Sequence, residues 1–595
     1  SYSAGIRIYS SYAFTIKSAN TTADAIQIIG TATGIGGDAW GIETNSSLFS
    51  VLATGAGTAT STGGGITFKT SQKNSSANYE AVFRGPTDIL AKSGPISLLG
   101  GQGTGITKGT WYINGALNFG SKLGSADVPT SQSDITIKFD TYDFNSFRPY
   151  VSTSGKFFWA PIDQSNSFNQ TVNSSWFTWN QNSQTASGIT IGKSSNTSGI
   201  TVDSALSANG DIQLLGGNIA VNQNLTATGG NITLDADTGT TLAQSTHGIN
   251  LSAGVVLRTI SSGDITMMGR SGNSGNSIHG IYAGSGATLN AAGNISLTGV
   301  SDTAGYYGRG VEFTGVSLTA GGSIGITGQH CANASYAITL VNYGATPTTL
   351  TSGSGITLES LNNNSGTVFM GGGAALNGGS GDVVLTTARI YTDTNVHNIT
   401  TTGKVTIRPD ADEASFGDTI SNQYLDFINT TGLTIGKAGN TATVSFDRAE
   451  SIAGPITVYG GNINVNQNIG STGSGSAIQL IGSNTITLAA SKAISSNNGN
   501  VSLVTKGDIF GNTGASISSG TGHILLATDS DATGGGAIGL TGTSFTTTGG
   551  NITLGGGNAL GTGYAEGSGT VFSNATHRGV WLETANLNAG GGNIS

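Results

Sequence analysis

Apolar residues recur at every second position in short runs along most of the chain, and glycine-rich polar corners separate these runs. In the segment 216–234, GGNIAVNQNLTATGGNITL, Ile219 and Val221 alternate with small or polar residues, and Ile232 and Leu234 do the same. A period of two places these apolar side chains on one face of a short strand. Gly-Gly-Asn precedes each strand, and both residue types tolerate the left-handed backbone of a tight corner. The pattern predicts a repeating unit of corner, short strand and corner.

Variants of this unit recur at 65–68, 94–98, 293–297, 355–358, 550–554 and 592–595. A single unit cannot bury its apolar face, so stacked units must share one continuous interior, as in a solenoid. Leucines at 289, 318, 350 and 376 mark a longer period, with offsets of 29, 32 and 26 residues. These offsets accommodate three short strands and three corners. The chain is therefore predicted to be all-β, a parallel β-helix with three short strands per coil.

A long-range duplication supports this prediction. Residues 188–225 align without a gap to residues 432–469, with 20 identities in 38 positions. Both copies contain TIGK near the start and VNQN near the end. A gap-free match of this length indicates that the same coils are built twice, and we expect the two copies to form equivalent strands.

An aromatic-rich segment interrupts the pattern, because 12 of the 42 aromatic residues lie between positions 139 and 179. One interpretation is an insertion that packs its own small core against the flank of the solenoid. The other is an aromatic platform for sugars or a partner. Packing is favoured, since a long insertion without apolar anchors would not stay ordered. Trp159, Trp176 and Trp179 are the candidate binding residues for a glycan or another partner, and we expect a minority of the rings to be exposed.

These patterns divide the chain into four parts: irregular β-helix coils at 1–130, the aromatic-rich insertion at 131–187, a first repeat block at 188–404 and a second at 405–595. The final unit stops inside a strand motif and the first residues carry no leader sequence. We therefore expect the chain to continue beyond this fragment.

Composition narrows the functional classes. Charged residues make up only 9% of the chain and the net charge is −9, with no basic stripe of the kind that a nucleic-acid binder needs. Despite 96 glycines, the recurring Ile, Val and Leu distinguish the chain from a flexible linker. No apolar run is long enough for a transmembrane helix. Cys331 is the only cysteine, so neither an intrachain disulfide nor a cysteine-rich metal site is expected.

The GGNITL-type strands, the TIGK and GPITVYGGNI segments and the Gly/Asn/Thr-rich composition resemble the filamentous haemagglutinin-like exoproteins, which are large bacterial surface adhesins. The resemblance covers most of the chain and is weaker at 1–130 and in the aromatic segment. It implies a right-handed β-helix that is secreted and displayed at the cell surface. The partners that it implies are host or neighbouring cell surfaces, glycans or matrix, and further copies associated end to end or laterally.

Motifs for chemistry are sparse. The segment 188–194 resembles a phosphate loop, but three residues separate its glycines where the motif needs four, so a strand is favoured. The candidate calcium ligands of a β-helical lyase are the acidic groups Asp235/Asp237, Asp410/Asp412/Glu413 and Asp529/Asp531. Each group follows a strand, which favours solvated turns. Lys506-Gly507-Asp508 resembles an integrin-type tripeptide by chance. The six histidines are scattered, and we expect them at the surface or at corners. No catalytic residue, metal or cofactor is predicted.

The function expected from these observations is a non-enzymatic, extracellular β-helical shaft of a giant bacterial surface or filament protein. It would mediate cell attachment or the formation of matrix and filaments. One alternative is a β-helical polysaccharide lyase or hydrolase, for which carboxylates and a basic residue should share one groove. Another alternative is a self-assembling fibre or sheath subunit, because open solenoid ends expose unpaired strand edges.

Overall fold

A computed structural model describes residues 3–32, 39–57, 63–72, 79–101, 109–122, 125–163, 165–179, 184–237, 245–302, 306–332, 336–342, 344, 346–361, 366–410, 413–557, 563–566 and 579–595. Within these residues the chain is built from parallel strands, with one short 3-10 helix at Ser174–Trp176. The same residues contain no helix with the length and apolarity needed to cross a membrane. The predicted all-β parallel β-helix is confirmed. Its strands belong to two compact units, Ser1–Gly305 and Tyr306–Ser595.

In the part of the first unit that the structure describes there are four parallel sheets, in which consecutive coils supply neighbouring strands. The first sheet contains Ile26–Ala32, Ile66–Gln72, Ile96–Leu99, Ile135–Lys138, Lys156–Ala160, Gly188–Gly192, Ile212–Leu215, Ile232–Ala236, Ile265–Arg270 and Ile295–Val300. The second contains Ser3–Ser18, Ala39–Ala53, Ala81–Phe83, Thr87–Ala91, Thr110–Ile113, Leu117–Gly120, Thr141–Asp143, Tyr150–Ser152 and Thr178–Trp179. The third contains Val172–Asn173, Gly199–Val202, Asn218–Val221, Ile249–Leu251 and Ile281–Ala283. The fourth contains Leu206–Ala208, Leu225–Ala227, Val256–Thr259 and Thr288–Ala291.

The described residues of the second unit form five parallel sheets. The first contains Ile324–Gln329, Ile356–Leu361, Val383–Thr386, Val405–Arg408, Leu433–Ile435, Ile456–Gly460, Ile478–Gly482, Val501–Thr505, Ile524–Thr528 and Ile552–Gly556. The second contains Val311–Thr314, Ile338–Val341, Thr367–Met370 and Arg389–Thr392. The third contains Ser317–Ala320, Thr349–Ser352, Ala375–Asn377, His397–Thr400 and Leu425–Ile428. The fourth contains Ile420–Ser421, Val444–Phe446, Ile463–Val465, Ile486–Leu488, Ile509–Gly511, Ile538–Thr541 and Val580–Glu583. The fifth contains Glu450–Ile452, Ile469–Ser471, Ala493–Ser496, Ser516–Ser518, Ser544–Thr546 and Asn586–Asn588.

The core consists of columns of apolar side chains that point inward from successive coils. Ile189, Ile212, Ile232, Ile265 and Ile295 stand in register in one such column, and each is at most 1% exposed. The residues expected to be inward, Ile219, Val221, Ile232, Leu234, Ile295, Leu297, Ile463 and Val465, are 0–1% exposed. The corner residues Asn222, Asn231 and Asn294 are exposed. The predicted strand faces are therefore confirmed.

The corners are connected by a ladder of side-chain oxygens. Asp211 Oδ1 accepts a hydrogen bond from the backbone N–H of Asn231 at 2.8 Å, and Asn231 Oδ1 accepts one from Asp264 at 2.8 Å. Asp264 Oδ1 accepts the next from the N–H of Asn294 at 2.6 Å. The second unit repeats the ladder at Asn500, His523, Asn551 and Asn593. In each of these hydrogen bonds the backbone N–H of a corner residue is bonded to the corner side chain of the preceding coil. The side chain thus supplies an acceptor for a backbone group that lies outside the strands.

The duplicated segments form equivalent strands, as predicted. Asn196 and Asn440, which align in the two copies, are 0% and 2% exposed. Asn196 Nδ2 donates to the carbonyl of Leu215 at 3.0 Å, and Asn440 Nδ2 donates to that of Tyr459 at 2.7 Å. The side-chain oxygen of each also accepts a hydrogen bond from the N–H of a buried phenylalanine, Phe168 or Phe416. In both copies a buried asparagine therefore links the same two backbone groups, and we call this arrangement the buried asparagine bridge.

The aromatic-rich segment differs from the expected insertion, because its strands belong to the coils themselves. Ile135 is in register with Ile96 of the preceding coil, and Phe157 follows in register with Ile135. Trp159 lies in register with Ile191 of the next coil. Aromatic side chains therefore occupy the same inward columns that Ile and Leu occupy elsewhere in this unit.

Candidate functional site

A cluster of aromatic rings fills the interior of the coils between Thr110 and Trp179. Trp111, Phe139, Trp159 and Phe177 are at most 1% exposed, and Tyr142 is 6% exposed. Ring centroids lie 5.3 Å apart for Tyr142 and Trp159, and 4.8 Å apart for Trp159 and Phe177, both in edge-to-face geometry. Such pairs add about 0.5–1.5 kcal/mol each beyond simple burial.

The three candidate tryptophans occupy different environments. Trp159 is fully buried, whereas Trp176 and Trp179 are half-buried. Trp179 packs on Phe157 at 4.8 Å, and its Nε1 donates to the Ser174 carbonyl at 2.9 Å. Of the twelve aromatic residues between 139 and 179, all within the described part of the chain, Phe147 alone is exposed. The expectation that most of these rings are packed is confirmed, and Trp159 has no surface for a ligand.

Trp176 lines a surface cleft of about 480 Å³. Its lining residues are Tyr142, Asp143, Phe144, Asn145, Ser146, Phe147, Arg148 and Trp176. Trp176 lies in the short 3-10 helix, and its ring contacts Tyr142 at 5.9 Å and Phe144 at 5.8 Å. The aromatic cleft, as we call it, therefore has a floor of packed rings and a wall formed by the turn 143–148.

The conformation of that turn directs its side chains outward. Asn145 and Ser146 have φ values of +34° and +71°, a region that asparagine tolerates and serine rarely adopts. The Phe147 N–H donates to the Phe144 carbonyl at 2.6 Å, which closes the turn. Phe147 is 40% exposed as a result, and Arg148 beside it is also exposed. A left-handed serine at the rim of a cleft is the kind of strain that accompanies functional sites.

Polar groups at the rim are held in place by residues of earlier coils. Asp143 Oδ2 accepts a hydrogen bond from Tyr79 Oη at 3.1 Å, and Asn145 Nδ2 donates to Asn114 Oδ1 at 3.1 Å. Burial and this bond to Asp143 raise the pKa of Tyr79 above its usual value. Ring faces combined with a held carboxylate, a held amide and the exposed Arg148 guanidinium suit a ligand that has both apolar C–H faces and hydroxyl groups.

Comparisons with protein-family models, with curated proteins and with solved structures found no match for this chain. The chemistry of the aromatic cleft is therefore argued from its own side chains. Sequence spacing did not indicate this cleft, since Tyr79, Asn114, Asp143 and Trp176 come from four different coils.

Two buried carboxyl groups lie close to residues of the cleft in the sequence, Glu80 directly after Tyr79 and Asp140 three positions before Asp143. Glu80 Oε2 accepts a hydrogen bond from the Gly101 N–H at 2.6 Å. Asp140 accepts one from the Ile162 N–H at 3.0 Å. Burial raises the pKa of Glu80 to about 8 and that of Asp140 to about 6. Neither was predicted from the sequence, where both are isolated acidic residues beside strands.

The acidic groups proposed as lyase ligands are engaged in local structure. Asp237 pairs with Arg270 at 2.7 Å, and Asp235 Oδ1 accepts the N–H of Asp237 at 3.0 Å. Asp529 is buried in a turn, and Asp531 lies 3.5 Å from Lys506. Asp410 and Glu413 belong to another turn, and Asp412 lies outside the described residues. Among the residues that the structure describes, no three His, Cys, Asp or Glu side chains approach closely enough to hold a metal ion.

The remaining motifs also have structural roles. Gly188–Gly192 is a strand, and Lys193 Nζ donates to the backbone carbonyls of Ile162 and Ser165. Asp508 of the Lys-Gly-Asp tripeptide accepts the N–H of Ala537 at 2.8 Å. These contacts explain both residues without a ligand.

The histidines were expected at the surface or at corners, and this is wrong for His397, which lies in the strand His397–Thr400 and is 0% exposed. His279 and His330 lie at corners, although they are only 4% and 5% exposed. His397 Nε2 lies 3.1 Å from Asp393, and the ring of His279 stacks on His247 at 5.0 Å. Polar or stacking partners within the coils make this burial tolerable. Cys331 is buried. His577 lies outside the described residues.

Proposed function

We propose that this chain is part of a non-enzymatic extracellular adhesive protein, in which a parallel β-helix displays the aromatic cleft to a glycan. The aromatic cleft carries the proposal. It combines the half-buried ring of Trp176 and the exposed ring of Phe147 with Asp143, Asn145 and Arg148 at one rim. Sugar rings present C–H faces to aromatic side chains and hydroxyls to such polar groups, so a glycan satisfies both parts of the cleft.

The scaffold supports a role in display. Inward columns of aliphatic side chains and corner ladders of Asn and Asp hold each coil on the next, so the cleft is attached to a framework that changes little on binding. A preorganised site loses less free energy to side-chain ordering when a ligand binds. The resemblance to secreted adhesins and the scarcity of charge agree with an extracellular location.

The test is binding of the purified full chain to an array of immobilised glycans. We expect selective binding that Trp176→Ala abolishes. Trp179→Ala provides a matched control, because Trp179 is also half-buried but does not line the aromatic cleft. Equal binding by the Trp176→Ala variant and the native chain would refute the site. Release of unsaturated sugars from an acidic polysaccharide would instead favour the lyase.

A further inference from the structure

A strip of aromatic and polar side chains continues from the aromatic cleft across the outer face of the second sheet of the first unit. The strip, defined as Arg84, Tyr112, Tyr79 and Asp143, crosses several coils, and the buried Trp40 packs against Arg84 without belonging to the strip. The Arg84 guanidinium lies 5.3 Å from the centre of the Trp40 ring and 5.5 Å from that of Tyr112. The Tyr112 and Tyr79 rings are 4.9 Å apart. Tyr79 Oη then reaches Asp143 at the rim of the cleft, so the contacts are continuous.

The direction of the strip follows from strand register. Tyr112 and Asp143 occupy successive positions of one outward column, and the strand Ala81–Phe83 precedes them in it, with Tyr79 before that strand and Arg84 after it. Neighbouring strands in a sheet are about 4.8 Å apart, so the two steps from that strand to Asp143 cover about 10 Å. Together with the cleft, the strip is longer than one sugar ring and narrow across the strands. This long, narrow surface matches a linear chain that runs parallel to the column. A compact or branched group would contact only part of the length of the surface.

The charges of the strip and cleft favour an uncharged chain. The charged residues of the strip and cleft are Arg84, Arg148 and Asp143, and Glu43 and Arg7 adjoin them through ion pairs. Glu43 is 2% exposed and is paired with Arg7 at 2.9 Å and with Arg84 at 3.2 Å. These groups nearly cancel, and the whole chain carries a net charge of −9. A polyanion would find no concentrated positive field on this surface, whereas hydroxyl groups can bond to carboxylate, amide and guanidinium alike.

We propose that the strip and the aromatic cleft together bind a linear, neutral polysaccharide, whose chain lies parallel to the outward column that contains Tyr112 and Asp143. This inference rests on the proposed glycan-binding function, and it assigns the cleft to one end of the chain and the strip to the following sugars. Trp176 and Phe147 stack on the first sugar. Tyr112, Tyr79 and the Arg84 guanidinium, held between two rings, contact the next ones.

The experiment is calorimetric titration of the full chain with neutral linear disaccharides, tetrasaccharides and hexasaccharides of gluco, galacto and manno type. We expect affinity to rise by about tenfold or more from the disaccharide to the hexasaccharide, since tenfold corresponds to about 1.4 kcal/mol. The gain should change little when salt is raised. Oligogalacturonate and heparin fragments are the acidic arms, and we expect weaker binding for both.

Variants separate the strip from the cleft. Tyr112→Thr and Arg84→Met should bind the disaccharide as the native chain does and should lose the gain with length. Tyr282→Thr is the matched control, because Tyr282 is a half-buried outward tyrosine on the third sheet of the same unit. Circular dichroism confirms that each variant is folded before titration.

Each remaining outcome overturns a defined claim. Equal affinity for all lengths, or a length gain that survives in both strip variants, would refute the strip and leave the proposed function standing. Tighter, salt-sensitive binding of an acidic fragment would refute the neutral chain. Absence of binding to every glycan, acidic ones included, would refute the proposed function and this inference with it.

Discussion

Glu450 offers a sharp test of how the coils tolerate a buried charge. It begins the strand Glu450–Ile452, is 6% exposed, and stands in register with Ile469 of the next coil. Its Oε1 accepts a hydrogen bond from Asn422 Nδ2 at 2.7 Å. Burial raises the pKa of Glu450 to about 8. The duplicated segment has Leu206 at the equivalent position, in register with Leu225 and 1% exposed. The native chain thus contains both a carboxyl and an aliphatic version of one site.

The sign of the pH dependence follows from the two states. The folded pKa of about 8 lies above the ordinary value of 4.5. Below pH 4.5 the carboxyl is protonated in both states, so it adds no pH dependence there. Between the two values the unfolded chain releases the proton and the folded coil keeps it, so stability falls as pH rises. The slope is about 1.4 kcal/mol per pH unit, which amounts to about 4 kcal/mol from pH 5 to pH 8.

Two substitutions remove this titration. Glu450→Gln imitates the protonated carboxyl, and Glu450→Leu copies the first duplicate. We expect both variants to be more stable than the native chain at pH 8, by about 4 kcal/mol, and the advantage of Gln to shrink towards zero at pH 5. Glu450→Leu leaves Asn422 Nδ2 bonded to the Arg448 carbonyl at 3.1 Å, so the amide keeps a partner. The reciprocal change, Leu206→Glu, should introduce the same pH dependence into the first copy.

Hydrogen exchange measured by mass spectrometry is the suitable assay, because stacked coils open locally and a single unfolding transition is not assured. Native and variant chains are compared at the same pH, so the intrinsic exchange rate cancels. The peptide that spans Glu450–Ser471 should be protected several-hundred-fold better in the variants at pH 8. A difference between Glu450→Gln and the native chain that stays constant from pH 5 to pH 8 would refute the reasoning.

Three further predictions concern the first unit and the duplicated bridge. Trp159→Ala should destabilise the aromatic coils by about 3–5 kcal/mol in urea unfolding, and iodide should quench Trp176 but leave the fully buried Trp159 unaffected. Asn196→Ala and Asn440→Ala should each lower the free energy of unfolding of their coils by about 2–4 kcal/mol, because buried backbone groups lose their hydrogen-bond partners. Clearly unequal losses of hydrogen-exchange protection in the two variants would contradict the equivalence of the two asparagines. Glu80→Gln should stabilise the unit increasingly from pH 4.5 to pH 8, because the pKa of Glu80 is raised to about 8 and native stability is lost as pH rises through that window. A pH-independent effect in urea unfolding would contradict this last prediction.

The strand faces and the duplication were predictable from the sequence because the interior admits only one arrangement. A column of stacked coils requires an apolar side chain at the same inward position in each coil. The alternation of apolar and polar residues is therefore visible in the sequence at Ile219, Val221, Ile232 and Leu234. Shifting one strand by a residue would turn all of its apolar side chains to solvent. The local sequence is therefore sufficient to predict which face of a strand is buried wherever the outward positions are polar.

The aromatic coils were harder to recognise because their outward positions are aromatic as well. In Phe157-Phe158-Trp159 the first and third rings point into the core, whereas Phe158 is half-buried on the outer face. The Lys138 ammonium lies 5.9 Å from the Phe158 ring, so the outer ring is covered by a neighbouring side chain. The period of two is present, but three consecutive aromatic residues conceal it, and the segment was predicted to be an insertion.

The aromatic cleft could not be predicted because its parts are joined only by register. Tyr79 and Asp143 are 64 positions apart and meet through coils whose loops differ in length. Sequence spacing alone does not determine which side chains stand side by side when each corner can hold a different number of residues. The positive φ values at Asn145 and Ser146 could not be predicted from the sequence either, because serine rarely adopts a left-handed backbone conformation.

Comparison of the two duplicated segments shows which features both copies share and which belong only to the coils that form the aromatic cleft. Both copies close with the same buried asparagine bridge to a phenylalanine, Phe168 or Phe416, so that bridge belongs to the coil. The coils before the first copy carry twelve aromatic residues between 139 and 179, and six of these are not buried. Three of the six, Phe144, Phe147 and Trp176, line the aromatic cleft, whereas Tyr150, Phe158 and Trp179 do not line it. Exposed aromatic area gains nothing from the hydrophobic effect, so the glycan of the proposed function would give the rings in the cleft a role that packing does not supply.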